Sequence, residues 1–402
     1  MISKIYTRFL LILFSGSLVI NGCNAQAVTQ PSEISVNTMD GDVQVAAYYF
    51  PNWGPVNESE WSRLKTAKPQ FEGHQQPKVP LWGYENENLP TVMAGKIDAA
   101  ASHGIDAFIF DWYYFDPATP EQQGGKYLYR ALEEGFLGAS NNSKMKFAIM
   151  WCNHNVGKMK GAVQSSTFEE MTGYIIEKYF KHPSYWKING CPYFSIYQFY
   201  TFLETFGNDY DKAAEALDKF RAKVKAAGFP GLHLNGVLWG LKGGMLQNAN
   251  DKLKISSTTS YVWIHHNRLP DFPATEYTKA ADAYFKSVES GGAVNGLEVP
   301  ASKIPVPYHI NVSMGWDSSP RCGNAADWMT RRDYPFGAVI VNNTPILFKK
   351  YLAKAKELTI KKPVNERIIT INSWNEWGEG SYLEPDTING MKYLEAIKEV
   401  FN

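Results

Sequence analysis

The sequence has no excess of either charge, because 40 lysine and arginine residues balance 40 aspartate and glutamate residues among 402. It also contains no long run of residues of one sign. A surface that attracts nucleic acid or an anionic membrane by charge is therefore not expected. We expect no nucleic-acid partner, and we expect the protein to be a monomer.

Cysteine is scarce, with four residues in the chain. Cys152, Cys191 and Cys322 show no Cys-x-x-Cys spacing, and no histidine stands at a spacing typical of a metal ligand. We therefore predict no metal site and no cofactor. Because these three cysteines are an odd number, at most one disulfide forms among them and one thiol stays free.

The N-terminus lacks an apolar run long enough to span a membrane. Lys4 and Arg8 precede a short apolar segment, Phe9 to Phe14, which is typical of an export signal. The N-terminal stretch that contains this segment ends in a small residue followed by Cys23, an ending that resembles a bacterial lipobox. We expect residues 1–22 to be a lipoprotein signal peptide and Cys23 to be lipidated; an ordinary secretory signal with an incidental cysteine is the alternative.

The polar residues 23–42 are predicted to form a flexible tether. The mature protein is then exported and lipid-anchored to the cell envelope, facing the periplasm or lying on the outer-membrane surface. Its contact with the membrane is expected to be through the lipid anchor alone.

Residues 43–402 alternate short apolar runs with longer amphipathic segments. One such segment, 210–227, repeats apolar residues every three or four positions and carries charges on its other face. About eight repeats of strand and helix predict one α/β domain, a (β/α)8 TIM barrel with long βα loops. A doubly wound sheet is the alternative, but the first strand has no glycine-rich phosphate loop after it. The predicted strands are Gln44–Phe50, Ala107–Trp112, Phe147–Cys152, Tyr193–Tyr197, Leu232–Trp239, Thr259–Ile264, Pro307–Val312 and Arg367–Ile371. The predicted helices are Met93–His103, Gly125–Glu134, Phe168–Phe180, Tyr210–Ala227, Ala274–Ser290 and Pro345–Leu358.

The ends of the predicted strands carry aromatic side chains next to amides, acids or imidazoles. Active sites in this fold lie at the C-terminal ends of the strands. Aromatic faces stack on sugar rings, and amides and acids bind hydroxyl groups. These ends therefore predict a carbohydrate cleft. The predicted substrate-binding residues at strand ends are Tyr49, Trp53, Asp111, Trp112, Asn153, His265, Trp316, Asp317, Trp374, Asn375 and Trp377.

The most informative strand end holds Glu376 and Glu379 between tryptophans and glycines. Glycosidic bond cleavage usually needs two carboxyl groups that face one sugar. In a helical turn, residues three apart lie on one face with Cβ atoms about 5–6 Å apart, close to the roughly 5–5.5 Å carboxyl separation of retaining enzymes. Two carboxylates that close cannot both ionise cheaply, so one pKa should rise. We predict both residues to be catalytic; solvated loop glutamates are the alternative.

Several other candidates have two interpretations. Asp111 lies between apolar residues, where a carboxylate is either paired or functional. Asp317 either contacts substrate or forms an ion pair with Arg321. The histidines at strand ends either bind sugar or are satisfied by hydrogen bonds within the protein. The long segment after the first strand adds Glu60 and His74 as further candidate binding residues.

These motifs resemble the glycoside hydrolase family 99-like domain, which is also known as the glycosyltransferase WbsX-like family of polysaccharide gene clusters. The resemblance extends from about Ala46 to Leu394. The resemblance implies a (β/α)8 retaining glycosidase in which Glu376 assists the sugar 2-hydroxyl and Glu379 is the acid and base. The residues that carry it are Glu60-Trp61, Lys68-Pro69 through Gln76-Pro77, Gly104 to Phe108, Gly315-Trp316-Asp317 with Pro320-Arg321, and Trp374 to Gly380.

We therefore expect a glycoside hydrolase that acts on an oligosaccharide or polysaccharide. Two alternatives remain open, a glycosyltransferase-like enzyme that assembles a polysaccharide and a non-catalytic glycan-binding lipoprotein. An export signal disfavours the transferase, because nucleotide sugars are cytoplasmic, and the sequence has no nucleotide-binding motif.

Overall fold

The structure is a computed structural model that describes residues 43–55, 58–117, 125–241, 244–323 and 328–401. The predicted signal peptide, the predicted tether and Cys23 lie outside the described residues. Within the described ranges, no helix combines the length and the apolar character needed to cross a membrane.

Eight parallel strands close into a barrel, and the predicted fold class is confirmed. Each strand pairs with its neighbours in chain order, and the last strand pairs with the first, with Gln44 opposite Ile368. The barrel strands are β1 (Gln44–Tyr49), β2 (Ala107–Tyr114), β3 (Lys146–Trp151), β4 (Cys191–Ile196), β5 (His233–Val237), β6 (Ser257–Thr259), β7 (Tyr308–Ser313) and β8 (Ile368–Asn372).

The helices in the described ranges surround this barrel and bury one face each against it. In Tyr210–Ala226 the buried residues are Ala213, Leu217, Phe220 and Val224, as the spacing predicts. The α-helices are α1 (Glu58–Thr66), α2 (Pro90–Ala101), α3 (Ser165–Ile175), α4 (Phe199–Glu204), α5 (Tyr210–Ala226), α6 (Met245–Asp251), α7 (Tyr277–Ser290), α8 (Pro345–Thr359) and α9 (Lys392–Phe401).

Several segments differ from the sequence-based expectation. Strand β6 ends at Thr259, and Trp263–His265 form a 3₁₀ turn rather than the end of a strand. The predicted helix over 125–134 is a short strand, Lys126–Tyr127, followed by the π-helical segment Ala131–Phe136. The long segment after β1, expected to be irregular, contains α1.

Four further strand pairings involve short strands outside the eight-stranded barrel. Lys126–Tyr127 pairs with the end of β2, Lys187–Ile188 with β4, Ala274–Glu276 with Val339–Val341, and Asn375–Glu376 with Ser381–Tyr382. The last pair follows β8 directly. It brings the two candidate catalytic glutamates to the C-terminal face of the barrel.

Candidate active site

The two glutamates lie on a tight hairpin, here called the glutamate hairpin (residues 375–382). Glu376 ends its first strand, residues 377–379 form a 3₁₀ turn, and Gly380 has a φ of +62°. A Cβ atom at position 380 would lie 2.6 Å from the Cβ of Asp317, so this turn requires glycine. The expected helical turn is therefore present only around Glu379, while Glu376 is the last residue of the preceding short strand.

Asn375 fastens the glutamate hairpin to the end of β1. The backbone N–H of Phe50 donates to Asn375 Oδ1 at 2.8 Å, and Asn375 Nδ2 donates to the Phe50 carbonyl at 3.0 Å. Trp53 Nε1 donates to the carbonyl of Asn375 at 2.8 Å. These buried bonds fix the backbone immediately before Glu376.

A buried ion cluster supports the hairpin from behind. Lys96 Nζ lies 2.6 Å from Glu87 Oε1 and 2.5 Å from Glu384 Oε1. Glu87 also accepts from Asn375 Nδ2 at 2.9 Å, and Glu384 accepts from Trp377 Nε1 at 2.6 Å. Burial raises the pKa of Glu87 to about 7, although the charge of Lys96 opposes this. The cluster thus holds the neighbours of Glu376 on both sides.

On the cavity side of the hairpin, three glutamates surround one arginine. Arg321 Nη1 lies 2.5 Å from Glu379 Oε1, Nη2 lies 3.5 Å from Glu376 Oε2, and Nε lies 3.9 Å from Glu60 Oε2. Tyr334 also donates to Glu379 Oε1 at 3.0 Å. Burial and the charge of Glu379 raise the pKa of Glu376 well above its ordinary value, while Arg321 lowers it.

Asp111 and Tyr261 continue this cluster across the barrel. The hydroxyl of Tyr261 lies 2.8 Å from Asp111 Oδ2 and 3.1 Å from Glu376 Oε1. Burial raises the pKa of Asp111 well above its ordinary value, and the charge of Glu379 adds to this rise. Asp111 lies within β2, whereas Tyr261 and Glu376 lie in the segments that follow β6 and β8.

These groups face a cavity of about 570 Å³ at the C-terminal ends of the strands. Such a volume is in the range of small-molecule and cofactor sites, roughly 300–1,000 Å³. Burial lowers the pKa of His154, one of its lining residues, to about 4, so this imidazole is neutral at neutral pH. Many of the lining side chains are aromatic: Phe50, Tyr113, Tyr127, Tyr197, Trp239, Tyr261, Trp316 and Tyr334.

The structure brings six of the predicted site residues together in this cavity. They are Glu60, Asp111, His265, Trp316, Glu376 and Glu379. In the described ranges, no group of three or more His, Cys, Asp or Glu residues is arranged to hold a metal ion.

The other predicted binding residues lie behind or beside the cavity and hold its walls. Trp374 is fully buried against Phe108, and Trp377 stacks on Tyr382 with ring centroids 3.7 Å apart. The tryptophans of the motif therefore pack in the protein interior instead of lining the cavity. The same holds for Tyr49, Trp53, Trp112, Asn153 and Asn375, all of which are buried away from the cavity lining.

Asp317 and His74 also lie outside the cavity, bonded to each other. His74 Nε2 is 2.9 Å from Asp317 Oδ2, Gln76 Nε2 donates to the same oxygen at 2.7 Å, and Ser319 Oγ donates to Oδ1 at 2.6 Å. Burial alone would raise the pKa of Asp317, but these hydrogen bonds and the charge of Lys78 lower it below its ordinary value. Arg321 pairs with the glutamates instead, which replaces the suggested Asp317–Arg321 ion pair.

Sequence reasoning missed Arg321, Tyr261 and Tyr334 as cavity residues. The sequence suggests an ion pair between Arg321 and Asp317, its near neighbour in the chain. Tyr261 was assigned to the interior of a strand that in fact ends at Thr259. The signal that could have identified Tyr261 is its polar hydroxyl next to a predicted strand end. Tyr334 lies outside all the predicted strands and helices and has no such signal.

The barrel and its carboxylate-lined cavity define a glycoside-hydrolase-like (β/α)8 fold. The family model described as Glycosyltransferase WbsX matches residues 46–397, so the chain belongs to this family. Curated relatives from two strains of Xanthomonas campestris pv. campestris, both named Uncharacterized protein WxcX, are 22% identical over 380 residues. The match covers 88% of this chain and 49% of each relative, so the chain spans about half the length of the curated relatives it matches.

Solved structures with the same fold include glycoside hydrolases. The GH99 endo-alpha-mannosidase from Bacteroides thetaiotaomicron superposes with a TM-score of 0.52 and 17% identity, over 89% of this chain and 96% of that chain. Its complex with Bis-Tris-propane gives a TM-score of 0.51 and 16% identity, over 90% and 96%. A glycoside hydrolase-like protein gives 0.55 and 13%, over 93% and 98%. At these identities the likeness is evidence for the fold alone.

Proposed function

We propose that this chain is a glycoside hydrolase that cleaves a glycosidic bond in an oligosaccharide or polysaccharide. The observation that carries the proposal is the pair Glu376 and Glu379, which both contact Arg321 at the wall of an aromatic-lined cavity. Two carboxyl groups beside one sugar supply the acid and the base that glycosidic cleavage needs. Tyrosine and tryptophan faces supply apolar surfaces for pyranose rings.

The resemblance to GH99 endo-α-mannosidases suggests the division of labour. Glu376 would take the proton of the substrate 2-hydroxyl, and the resulting oxygen would attack the anomeric carbon as the glycosidic C–O bond breaks. Glu379 would give its proton to the leaving oxygen. When water opens the epoxide, Glu379 would take a proton from that water and Glu376 would return its proton to the 2-oxygen. Configuration is retained, and no protein nucleophile is required, unlike in most retaining enzymes.

The environment of Glu376 suits a base. Burial and the neighbouring charge of Glu379 raise its pKa, so the Glu376 carboxylate binds a proton more tightly than an ordinary glutamate does. Arg321 and the Tyr261 hydroxyl both contact this carboxyl, and they oppose that rise by stabilising the ionised form. The group can therefore be ionised before the reaction and still be a strong enough base.

The test is hydrolysis by Glu376→Gln and Glu379→Gln, screened on plant, algal, yeast and host glycans with products separated by chromatography. We expect each change to reduce turnover by about 10²–10⁴-fold, the usual contribution of a positioned acid or base. Glu357→Gln, at an exposed glutamate on α8, is the matched control and should keep full activity. Retained turnover in Glu376→Gln and Glu379→Gln with an intact fold would refute the assignment.

The family description favours a second candidate, a glycosyltransferase. A transferase binds a nucleotide sugar, so titration calorimetry with nucleoside diphosphates separates the two functions. The hydrolase predicts no measurable binding of the diphosphate. A non-catalytic glycan-binding protein is a further outcome of the screen: it would bind a glycan equally well before and after Glu376→Gln and turn over none of them.

We also propose that the protein is exported and lipid-anchored through Cys23, as the sequence of the first residues suggests. Replacing Cys23→Ser should move the protein from the membrane fraction to the soluble fraction and prevent incorporation of a labelled fatty acid. Cys322→Ser, which replaces a cysteine of the barrel domain, is the control and should leave the distribution unchanged. Membrane association that persists in Cys23→Ser would exclude the lipid anchor.

A further inference from the structure

Asp111 is a carboxyl group of the cavity to which the proposed reaction assigns no proton. It lies within β2, whose residues are all buried, has 3% of its own surface exposed, and lines the cavity. Its Oδ1 is buried without a hydrogen-bond partner. Within the described ranges, no lysine or arginine forms an ion pair with it. A buried carboxylate in this position would carry an uncompensated charge.

The hydroxyl of Tyr261 contacts two carboxyl groups but has one proton to give. It lies 2.8 Å from Asp111 Oδ2 and 3.1 Å from Glu376 Oε1. If both carboxyls were ionised, one of these contacts would bring two oxygen lone pairs together without a hydrogen. Burial raises the pKa of Tyr261, so the tyrosine keeps its own proton. A second proton must therefore reside on Asp111 or on Glu376.

The surrounding charges decide which carboxyl holds it. Glu376 has a cation beside it, because Arg321 Nη2 lies 3.5 Å from its Oε2. Among the described residues, Asp111 has no cation beside it, and Glu379, when ionised, acts against the ionisation of both carboxyls. The titratable groups that act on Asp111 or feel its charge are all neutral or acidic: Tyr48, Tyr113, Cys152, Tyr197, Tyr261, Glu376 and Glu379.

We propose that Asp111 is an un-ionised carboxylic acid at neutral pH, and that it acts through Tyr261 to keep Glu376 ionised. The Oδ2–H of Asp111 donates to the Tyr261 oxygen, and the Tyr261 hydroxyl donates to Glu376 Oε1. Asp111 Oδ1 is then a carbonyl acceptor on the cavity wall, and a hydroxyl of the bound sugar supplies its missing donor. The link to the base rests on the proposed function, whereas the protonation of Asp111 does not.

Infrared spectroscopy of protein labelled with ¹³C-carboxyl aspartate tests the protonation without a substrate. At neutral pH we expect a protonated-carboxyl band from labelled aspartate in the native protein. The band should vanish in Asp111→Asn and persist in Asp251→Asn, which removes an exposed aspartate. A native protein without this band, or an Asp111→Asn variant that keeps it, would overturn the assignment.

The pH dependence of hydrolysis tests the link through Tyr261. The amide of Asp111→Asn can donate to Tyr261 as the acid does, so we expect kcat/KM within about tenfold of native, whereas Asp111→Ala should lose about 10²-fold. Tyr261→Phe removes the bond to Glu376 and should move the acidic limb of the profile to higher pH. Loss in Asp111→Asn equal to that in Asp111→Ala, with both variants folded by circular dichroism, would refute the link. The infrared result stands even if no glycan is cleaved, so the two proposals fail separately.

Discussion

Arg321 is the one lysine or arginine among the described cavity-lining residues, and it balances three glutamates. Its guanidinium packs closely against Gly378, where an added Cβ would lie 3.1 Å from Arg321 Nε. Planar guanidinium groups can bind several carboxylate oxygens at once, which a lysine ammonium does with less defined geometry. The protonation of the whole cluster therefore depends on this one side chain.

Replacing Arg321→Met should raise the pKa of Glu376 further, because Arg321 now lowers it. The base would then be protonated over more of the pH range. We expect the acidic limb of kcat/KM to move to higher pH and activity at neutral pH to fall by about 10²-fold or more. Arg130→Met, at an exposed arginine, should leave the profile unchanged. An unshifted limb in Arg321→Met would show that the guanidinium does not control Glu376.

Asp317 makes a different prediction, about stability. Its pKa is lowered in the folded protein, so its contribution to folding is present above the unfolded value of about 3.9 and is lost as pH falls toward the folded value. Asp317→Asn should lower the free energy of unfolding at pH 7 by about 3 kcal/mol, a loss typical of charged hydrogen bonds. In urea titrations this difference should shrink below about pH 3. A difference that is the same at both pH values would contradict the assignment.

At the residue scale, the sequence identified the catalytic candidates better than the binding ones. Glu376 and Glu379 could be singled out because a hairpin after the last strand must present its carboxyls near the barrel mouth. Trp374 and Trp377 belong to the same motif, yet they pack on Phe108 and Tyr382. The direction of a side chain on a turn depends on partners distant in the chain, which local patterns do not contain.

The glutamate hairpin is the element that combines these residues, and the ion cluster behind it is its main support. Lys96 comes from α2, Glu87 from the segment before α2, and Glu384 from the segment after the hairpin. All three side chains are almost completely buried. A change in this cluster should therefore affect both the stability of the domain and the position of Glu376.

Lys96→Met should lower the free energy of unfolding by about 3–5 kcal/mol, because it leaves two carboxyl groups buried without their cation. The triple variant Lys96→Met, Glu87→Gln, Glu384→Gln removes both charges as well and should regain much of this loss. Chemical denaturation of both proteins gives the comparison. A triple variant as unstable as Lys96→Met would show that packing, rather than charge, stabilises this region.

At the element scale, seven of the eight barrel strands were predictable because apolar runs are typical of strands buried on both faces, whereas the predicted sixth strand overlaps β6 only at Thr259. Their ends were less predictable, as β6 shows: Ser257–Thr259 pair in the barrel, while the apolar residues up to Ile264 continue into a 3₁₀ turn. Apolar residues that line the mouth of a barrel have the same pattern as residues inside its strands. Helix α1 was missed because its sequence is polar and only part of it is buried.

At the scale of the whole molecule, the carboxyl groups buried in the cavity make the stability of the fold depend on pH. The pKa values of Asp111 and Glu376 are raised on folding, so the folded state binds protons more tightly than the unfolded state. The stability that depends on these two groups is fully present below the unfolded pKa values and is lost as pH rises through the folded ones. Each unit by which a pKa is raised corresponds to about 1.4 kcal/mol.

Glu376→Gln should therefore be more stable than the native protein, and its advantage should grow from pH 5 to pH 8 as the native carboxyl ionises. Thermal unfolding followed by circular dichroism at both pH values measures this. Glu357→Gln, whose side chain is exposed, should show no such trend. If Glu376→Gln is no more stable than the native protein at pH 8, the native Glu376 carboxyl does not lower the stability of the fold.

The bond between Phe50 and Asn375 joins positions 325 residues apart, at opposite ends of the barrel sequence. During synthesis, every part of the cavity wall from β1 to β7 is made before the hairpin that carries both glutamates. A chain that stops before β8 therefore lacks both proposed cleaving groups and the strand that joins β7 to β1. The closed barrel and the proposed acid and base are completed by the same last part of the chain, so an unfinished copy has neither.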